Sequence, residues 1–502
     1  MLRGGCVPYL PPRVYDRDAS DAPGLTRITV SAPGVFALLI SVHVFAVKDT
    51  KTVKFPTKFE ELLPPAAVSK VLDMLSQPAL SSVVRETLQK VGLKESNPVG
   101  QMQDAWRQAR GWLESVIDRV LEQNQASPAA INATGQLFDQ RWSSLPTDTV
   151  VIQALAAAAV NFQDQVQLEK YANEVGAKVA MAPAAMFTSS PSACLAMLAS
   201  CDPFSGGLVI ARADVLRIPG STDIRGILAA GSNGFTDVGA VNGTTENEWR
   251  SALTSSAKSL LLISPNSLEV DEARAQRAAA IASAQAQRAR VIEFVFDATQ
   301  DQALSQQLGL PLLSNCLSSG ADLVVAPLDG LLAGPAGALV AGREDLIESL
   351  RTAASTRGAL LQGPALAGAA AALNAGADTE RSRSSIAQML LTNPDNLKER
   401  ARRLAIQLNN TSRIALAEAI GRDSRLGPSP WHRYRLTSHA VAITPRDQSA
   451  EELAHELSSG KHGPAIWLKV EEGRAILDLR FVEPADDHKL VETLHGAPQP
   501  TP

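Results

Sequence analysis

Cysteine is scarce. The chain carries Cys6, Cys194, Cys201 and Cys316 in 502 residues. No two of them form a C-x-x-C pair, and no histidine–cysteine cluster has metal-ligand spacing, so neither a zinc module nor a dithiol redox centre is written here. The four read as small buried residues in a reducing compartment, which makes the chain cytoplasmic and metal-free in expectation. A long apolar run is also missing. Val35 to Val47 is the strongest such stretch, shorter than the ~20 residues a bilayer span needs. It lies far from the N-terminus and has no clean cleavage site, so it reads as a strand or as part of an upstream extension rather than a signal or membrane segment. Basic excess is absent as well: 47 Lys and Arg stand against 52 Asp and Glu, for a net charge of −5. Charge therefore gives no support to nucleic-acid binding.

What is present is an ordinary globular composition, 45% hydrophobic and 20% charged, on a chain long enough for more than one domain. Residues 1–58, rich in Pro and Arg at their start, read as a disordered extension. Residues 59–126 read as a helical N-terminal domain, with apolar residues at i, i+3, i+4 spacing and Trp106, Trp112, Val116 and Val120 on one stripe. Residues 127–378 alternate strand and helix, which predicts an α/β domain around a mostly parallel central sheet. Continuous apolar strands such as Ser259 to Ile263 and Val291 to Phe296 suit a sheet covered on both faces. Residues 379–495 read as a small C-terminal α+β domain with an antiparallel sheet. There the pattern predicts one long helix from Asn396 to Ile420, with Arg400, Arg402 and Arg403 on a solvated face.

The stretch from Gly320 to Gly342 organises the rest. It reads as a buried strand, a tight turn, and a Gly-rich return into a second apolar strand. Its centre, Asp329-Gly330-Leu331-Leu332-Ala333-Gly334-Pro335-Ala336-Gly337, resembles the D-K-L-L-G-G-P-Q-A-G run of bacterial selenocysteine synthase, the L-seryl-tRNA(Sec) selenium transferase family. Other pieces fall in that family's order. Ile131-Asn132-Ala133-Thr134-Gly135 resembles I-N-A-T-G. Ala211-Arg212-Ala213-Asp214 with Ile218-Pro219-Gly220-Ser221 resembles S-R-G-E with I-G-G-S. Val238 to Thr244 resembles V-G-T-T-N-R-T, Ser264-Pro265-Asn266-Ser267 resembles P-S-N, and Leu477-Asp478-Leu479-Arg480 resembles L-D-L-R.

The resemblance implies a fold-type I pyridoxal-phosphate (PLP) transferase fold and a homodimer or higher homo-oligomer. It also implies tRNA as a partner, without support from charge; no membrane partner is expected. In that family the ring nitrogen needs a carboxylate, and Asp297 stands at the matching strand end. The cofactor phosphate needs an anion cradle, for which Ser189, Ser190 and Ser192 before an apolar helix are the candidates, with a plain helix cap as the alternative. Asn242 and Asn266 complete the candidate polar set. The Schiff-base lysine is missing: Gly330 occupies its position, and Lys258 lies before a different strand. Gly243 replaces the arginine of T-N-R-T, and Gln300 and Asp301 stand where the family has small residues. The cofactor would then be held noncovalently at most. Three readings stay open: a binding or regulatory pseudoenzyme, an active PLP-dependent selenium transferase or related lyase, and a cleft for another small anion.

Overall fold

The computed structural model describes residues 130–139, 141, 145–216, 223–254, 258–377, 383–461 and 463–495. The extension, the helical region 59–126 and the Ile218 to Ser221 motif lie outside these residues. The chain runs through β1 (Ala130–Asn132), α1 (Thr149–Val160) and α2 (Gln165–Ala180) into alternating elements. These are β2 (Ala184–Thr188), α3 (Pro191–Leu198), β3 (Leu208–Ala211), α4 (Ile224–Ala229), β4 (Phe235–Val238), α5 (Glu246–Ala252) and β5 (Ser259–Ser264). Then come α6 (Val270–Ala286), β6 (Arg290–Val295), α7 (Gln302–Leu308), β7 (Leu323–Pro327) and β8 (Ala338–Gly342).

β2 to β8 form one seven-stranded sheet in the order β2-β8-β7-β6-β5-β3-β4. β8 runs antiparallel to both of its neighbours, and the other pairings are parallel. The chain starts at one edge with β2, crosses to β3 and β4 at the other, and returns through β5, β6 and β7. Such a reversal opens a crevice at the carboxyl ends of the strands, where α/β folds place their ligands.

Both faces of the sheet are covered, and alternate strand residues go to opposite sides. Leu260, Leu262, Val291 and Val295 pack into one core with Trp249, Ala280 and Ala284. Leu261, Ile263, Ile292 and Phe294 pack into the other with Leu195, Leu198 and Leu350. That double burial is the physical reason for uninterrupted apolar strands.

The rest of the chain is α8 (Glu344–Thr356), α9 (Gly363–Ala377), α10 (Ser385–Leu391), α11 (Pro394–Asn409), β9 (Ile414–Arg425), β10 (Arg435–Pro445) and α12 (Ala450–Ser458). It ends with β11 (Ala465–Trp467), β12 (Lys469–Glu471), β13 (Arg474–Asp478) and α13 (Asp487–His495). An antiparallel sheet β12-β13-β10-β9 forms the small layer. β1 pairs in parallel with β11, Ile131 opposite Ile466. Ile131 and Ala133 share a core with Leu404, Val441 and Leu477. The Ile131 to Gly135 motif thus sits in the C-terminal layer although it precedes the large sheet in sequence.

The helix expected from Asn396 to Ile420 ends at Asn409. The Asn409 side chain turns the chain back: its amide donates to the Ala417 carbonyl at 2.8 Å and its oxygen accepts from the Ala417 N–H at 2.7 Å. Residues 414–425 then become β9 and pair along β10. Among the described residues no helix is long and apolar enough to cross a membrane, and no group of His, Cys, Asp and Glu is arranged to hold a metal ion.

Candidate functional site

Asp297 follows β6 at the carboxyl edge of the sheet and is 0% exposed. Its Oδ2 accepts hydrogen bonds from the Ser264 hydroxyl at 2.9 Å and the Tyr434 hydroxyl at 2.5 Å. The Arg433 guanidinium lies 3.7 Å from the same oxygen. Oδ1 has no donor. Burial pushes the Asp297 carboxyl above the usual range, and the Tyr434 hydrogen bond and the Arg433 charge oppose that shift.

The network continues across the strand ends. Arg433 donates to the Leu268 carbonyl at 2.8 Å and to Asn266 Oδ1 at 3.5 Å. Asn266 Nδ2 donates to Asp214 Oδ1 at 2.8 Å, and Asp214 Oδ2 accepts from the Ile263 N–H at 3.2 Å. Asp214 is pushed up to about 7, by burial first, with the Asn266 and Ile263 hydrogen bonds acting against it. Of the sequence candidates, then, Asp297 and Asn266 are brought together. Ser264 of the quoted Ser264 to Ser267 motif joins them, as do Arg433 and Tyr434, which had not been marked. Their signal was a basic and aromatic cluster, Trp431 to Tyr434, set in a Gly- and Pro-rich connection.

The remaining candidates sit apart from this network. Ser190 caps α3, its hydroxyl accepting from the Ala193 N–H at 3.0 Å. Ser189 is exposed and its N–H is tied to the Ala359 carbonyl, while Ser192 lies in the first turn of the same helix. Asn242 is exposed on the turn between Ala240 and Gly243 and makes none of the bonds of the Asp297 network. At Gly243 an added Cβ would lie 2.4 Å from the Gln276 amide, so Gln276 fills the space beside the position of the family's arginine. Asp301 caps α7 and pairs with Arg383 at 3.0 Å.

Gly330 is buried in the turn after β7. A Cβ built there meets only the Phe296 carbonyl oxygen, at 3.8 Å. Position 330 therefore lies beside the residue that precedes Asp297, with room for a Cβ that the sequence does not supply. The turn is otherwise intact: the Ala333 and Gly334 N–H groups bond the Gly330 and Leu328 carbonyls.

The profile of the family described as SelA, L-seryl-tRNA selenium transferase, matches residues 167–483, more than half of the chain. The chain belongs to the SelA family. The L-seryl-tRNA(Sec) selenium transferase of Desulfovibrio desulfuricans is 23% identical over 389 residues, covering 74% of this chain and 81% of that protein. That of Geotalea daltonii is 22% identical over 461 residues, covering 88% of this chain and 98% of that protein. Among solved structures, a D-glucosaminate-6-phosphate ammonia-lyase superposes with a TM-score of 0.56 at 16% identity, over 75% of this chain and 98% of that one; that likeness shows the fold alone.

PLP chemistry in a SelA protein asks for an amine, a carboxylate and an anion cradle. Asp297 offers a carboxylate whose Oδ1 has no donor among the described residues. The amine is missing, because Gly330 supplies none. Asp297 is 0% exposed, and Tyr434 and Ser264 both bond its Oδ2. The residues present do not fit a covalently held PLP.

Proposed function

We propose that this SelA-family chain is a binding or regulatory protein that retains the transferase fold without its covalent cofactor chemistry. The observation that carries this reading is the pairing of a glycine at position 330 with open space around it. On the anion-binding side of the family pattern, Gly243 stands where the family has an arginine, with the Gln276 amide beside it, and the Ser190 oxygen caps its own helix. A homo-oligomer in the cytoplasm is part of the reading. Ile152, Val160, Phe162, Val166 and Tyr171 expose apolar surface along α1, α2 and the turn between them, a surface suited to a second copy. Association with tRNA has no support in the net charge of −5.

The second reading, an active PLP-dependent selenium transferase acting on seryl-tRNA(Sec), draws on the names of the curated relatives and on the orphaned Oδ1 of Asp297. The test is an absorbance spectrum of the purified protein with added PLP, before and after borohydride. The proposal expects no chromophore that reduction fixes to the protein. A reducible chromophore mapped to any lysine would overturn it and favour the transferase.

A further inference from the structure

We propose that the Tyr434 side chain stands in the place of the cofactor ring, so that the chain fills its own ring site and is closed to noncovalent as well as covalent PLP. This rests on the preceding reading of the chain, with Asp297 as the family's ring carboxylate. Gly330 alone removes only the covalent bond. Tyr434 removes the place of the ring as well.

A pyridine ring held by this carboxylate needs a hydrogen bond between its nitrogen and one carboxylate oxygen. Tyr434 already makes the equivalent bond. It brings a six-membered aromatic ring whose hydroxyl donates to Asp297 Oδ2 at 2.5 Å. Ser264 donates to the same oxygen at 2.9 Å. The Tyr434 oxygen in turn accepts from Arg433 at 3.4 Å. Burial first, and the Asp297 charge next, hold the phenol well above the usual tyrosine range, so it stays a donor. Asp297 Oδ1 is buried too, without a donor, and the whole residue is 0% exposed. A ligand atom can touch neither oxygen until protein is moved aside.

The phenol is seated as core. Tyr434 is 3% exposed. It belongs to one apolar cluster with Leu331 and Ala333 of the turn after β7, and with Leu310 and Leu426. It therefore shares its core with the turn where the family's lysine would stand. The segment that delivers it is tied down at several points. The Leu426 N–H bonds the Tyr434 carbonyl at 3.1 Å, and the Tyr434 N–H bonds the Trp431 carbonyl at 3.2 Å. Trp431 packs on Phe138 with ring centroids 4.2 Å apart. A buried tyrosine needs some acceptor for its hydroxyl. Here the acceptor is the one carboxylate that the family pattern reserves for the ring.

The probe is pyridoxine, which carries the ring without the aldehyde and so forms no Schiff base with any lysine. The full chain is titrated by calorimetry and ligand-observed NMR. Tyr434→Ala should bind pyridoxine with a Kd below about 1 mM. Wild type and Tyr434→Phe, which both keep a six-membered ring in place, should bind at least about tenfold more weakly. Asp297→Asn added to Tyr434→Ala should weaken binding at least about tenfold. Tyr434→Val, a less severe truncation, carries the same expectation if the alanine variant does not fold. A wild-type Kd below about 1 mM would overturn the inference, whether or not either truncation folds. So would a folded truncation that does not bind, or one whose binding is indifferent to Asp297→Asn. A reducible PLP chromophore in the borohydride test ends the proposed function, whereas pyridoxine binding to wild type ends this inference; pyridoxine cannot give that chromophore, so the two failures are told apart.

Discussion

Tyr434 donates its hydroxyl to Oδ2 of Asp297 at 2.5 Å, although 137 positions separate the two residues. The bond joins the connection between β9 and β10 to the carboxyl edge of the large sheet. Tyr434→Phe keeps the ring and its packing and removes one of the two donors to this oxygen. The cost should be about 1–3 kcal/mol, the usual penalty for stripping a partner from a buried polar group. Urea unfolding of wild type and variant measures it. Identical midpoints and slopes would mean that Asp297 gains nothing from Tyr434.

Asp214 sets a pH dependence. Burial raises it from 3.8 to about 7, so the folded chain holds a proton that the unfolded chain has already lost. Folded-state protonation favours the folded state at low pH. Stability should therefore fall as pH rises from about 4 to about 7 and level off above. The full shift corresponds to at most about 4 kcal/mol. Asp297 and Asp329 are shifted in the same direction by burial, so part of the slope survives in Asp214→Asn. The readout is the difference between the two stability–pH curves: the variant should be flatter across that window. Parallel curves would rule out Asp214 as the titrating group.

Two glycines of the family-like motifs should behave oppositely. At Gly330 a Cβ has no neighbour closer than 3.8 Å and the backbone is not left-handed. Gly330→Ala should be neutral or stabilising by up to about 1 kcal/mol, because it restricts the unfolded chain. Gly135 has φ +72°, and its Cβ would lie 2.5 Å from Asp478 Oδ2. Asp478 cannot yield easily, being held by the Ser424 and Ser438 hydroxyls. Gly135→Ala should cost about 1–3 kcal/mol from the backbone alone, with the side-chain clash in addition. Differential scanning calorimetry of both variants checks the pair; comparable melting temperatures would contradict the steric argument.

The large sheet was legible because burial on both faces writes continuous apolar runs, as in Leu260 to Ile263. β9 was not. Ile414 to Ile420 is rich in Ala, Leu and Glu, all helix formers, and only pairing with β10, far along the chain, makes it a strand. The site divided along the same line. Asp297 could be read because it closes an apolar strand and falls in a recognisable order of motifs. Arg433 and Tyr434 could not, because their partners are distant in sequence and a connecting loop carries no periodicity. The empty position at 330 was readable directly, whereas its open surroundings needed the fold.

Arg400 shows how misleading a run of like charges can be. The cluster Arg400, Arg402, Arg403 reads as a solvated helix face, yet Arg400 is 6% exposed. Its guanidinium holds Asp487 at 2.6 Å and the carbonyls of Val482 and Glu483 at 2.7 and 2.8 Å. It thereby ties α11 to the segment entering α13. Arg402, by contrast, is exposed and, among the described residues, pairs with Glu399. Arg400→Ala should cost about 3–5 kcal/mol, since it strands a partly buried carboxylate and two carbonyls. Arg402→Ala should stay within about 0.5 kcal/mol. Arg400→Lys should recover little, because an ammonium cannot span partners fixed by a planar fork. Hydrogen exchange adds a local readout: in Arg400→Ala, amides of residues 487–495 should lose protection before those of the large sheet. Uniform loss across both would mean that Arg400 supports the whole fold, and unchanged protection would mean that α13 is held by Leu490 and Leu494 alone.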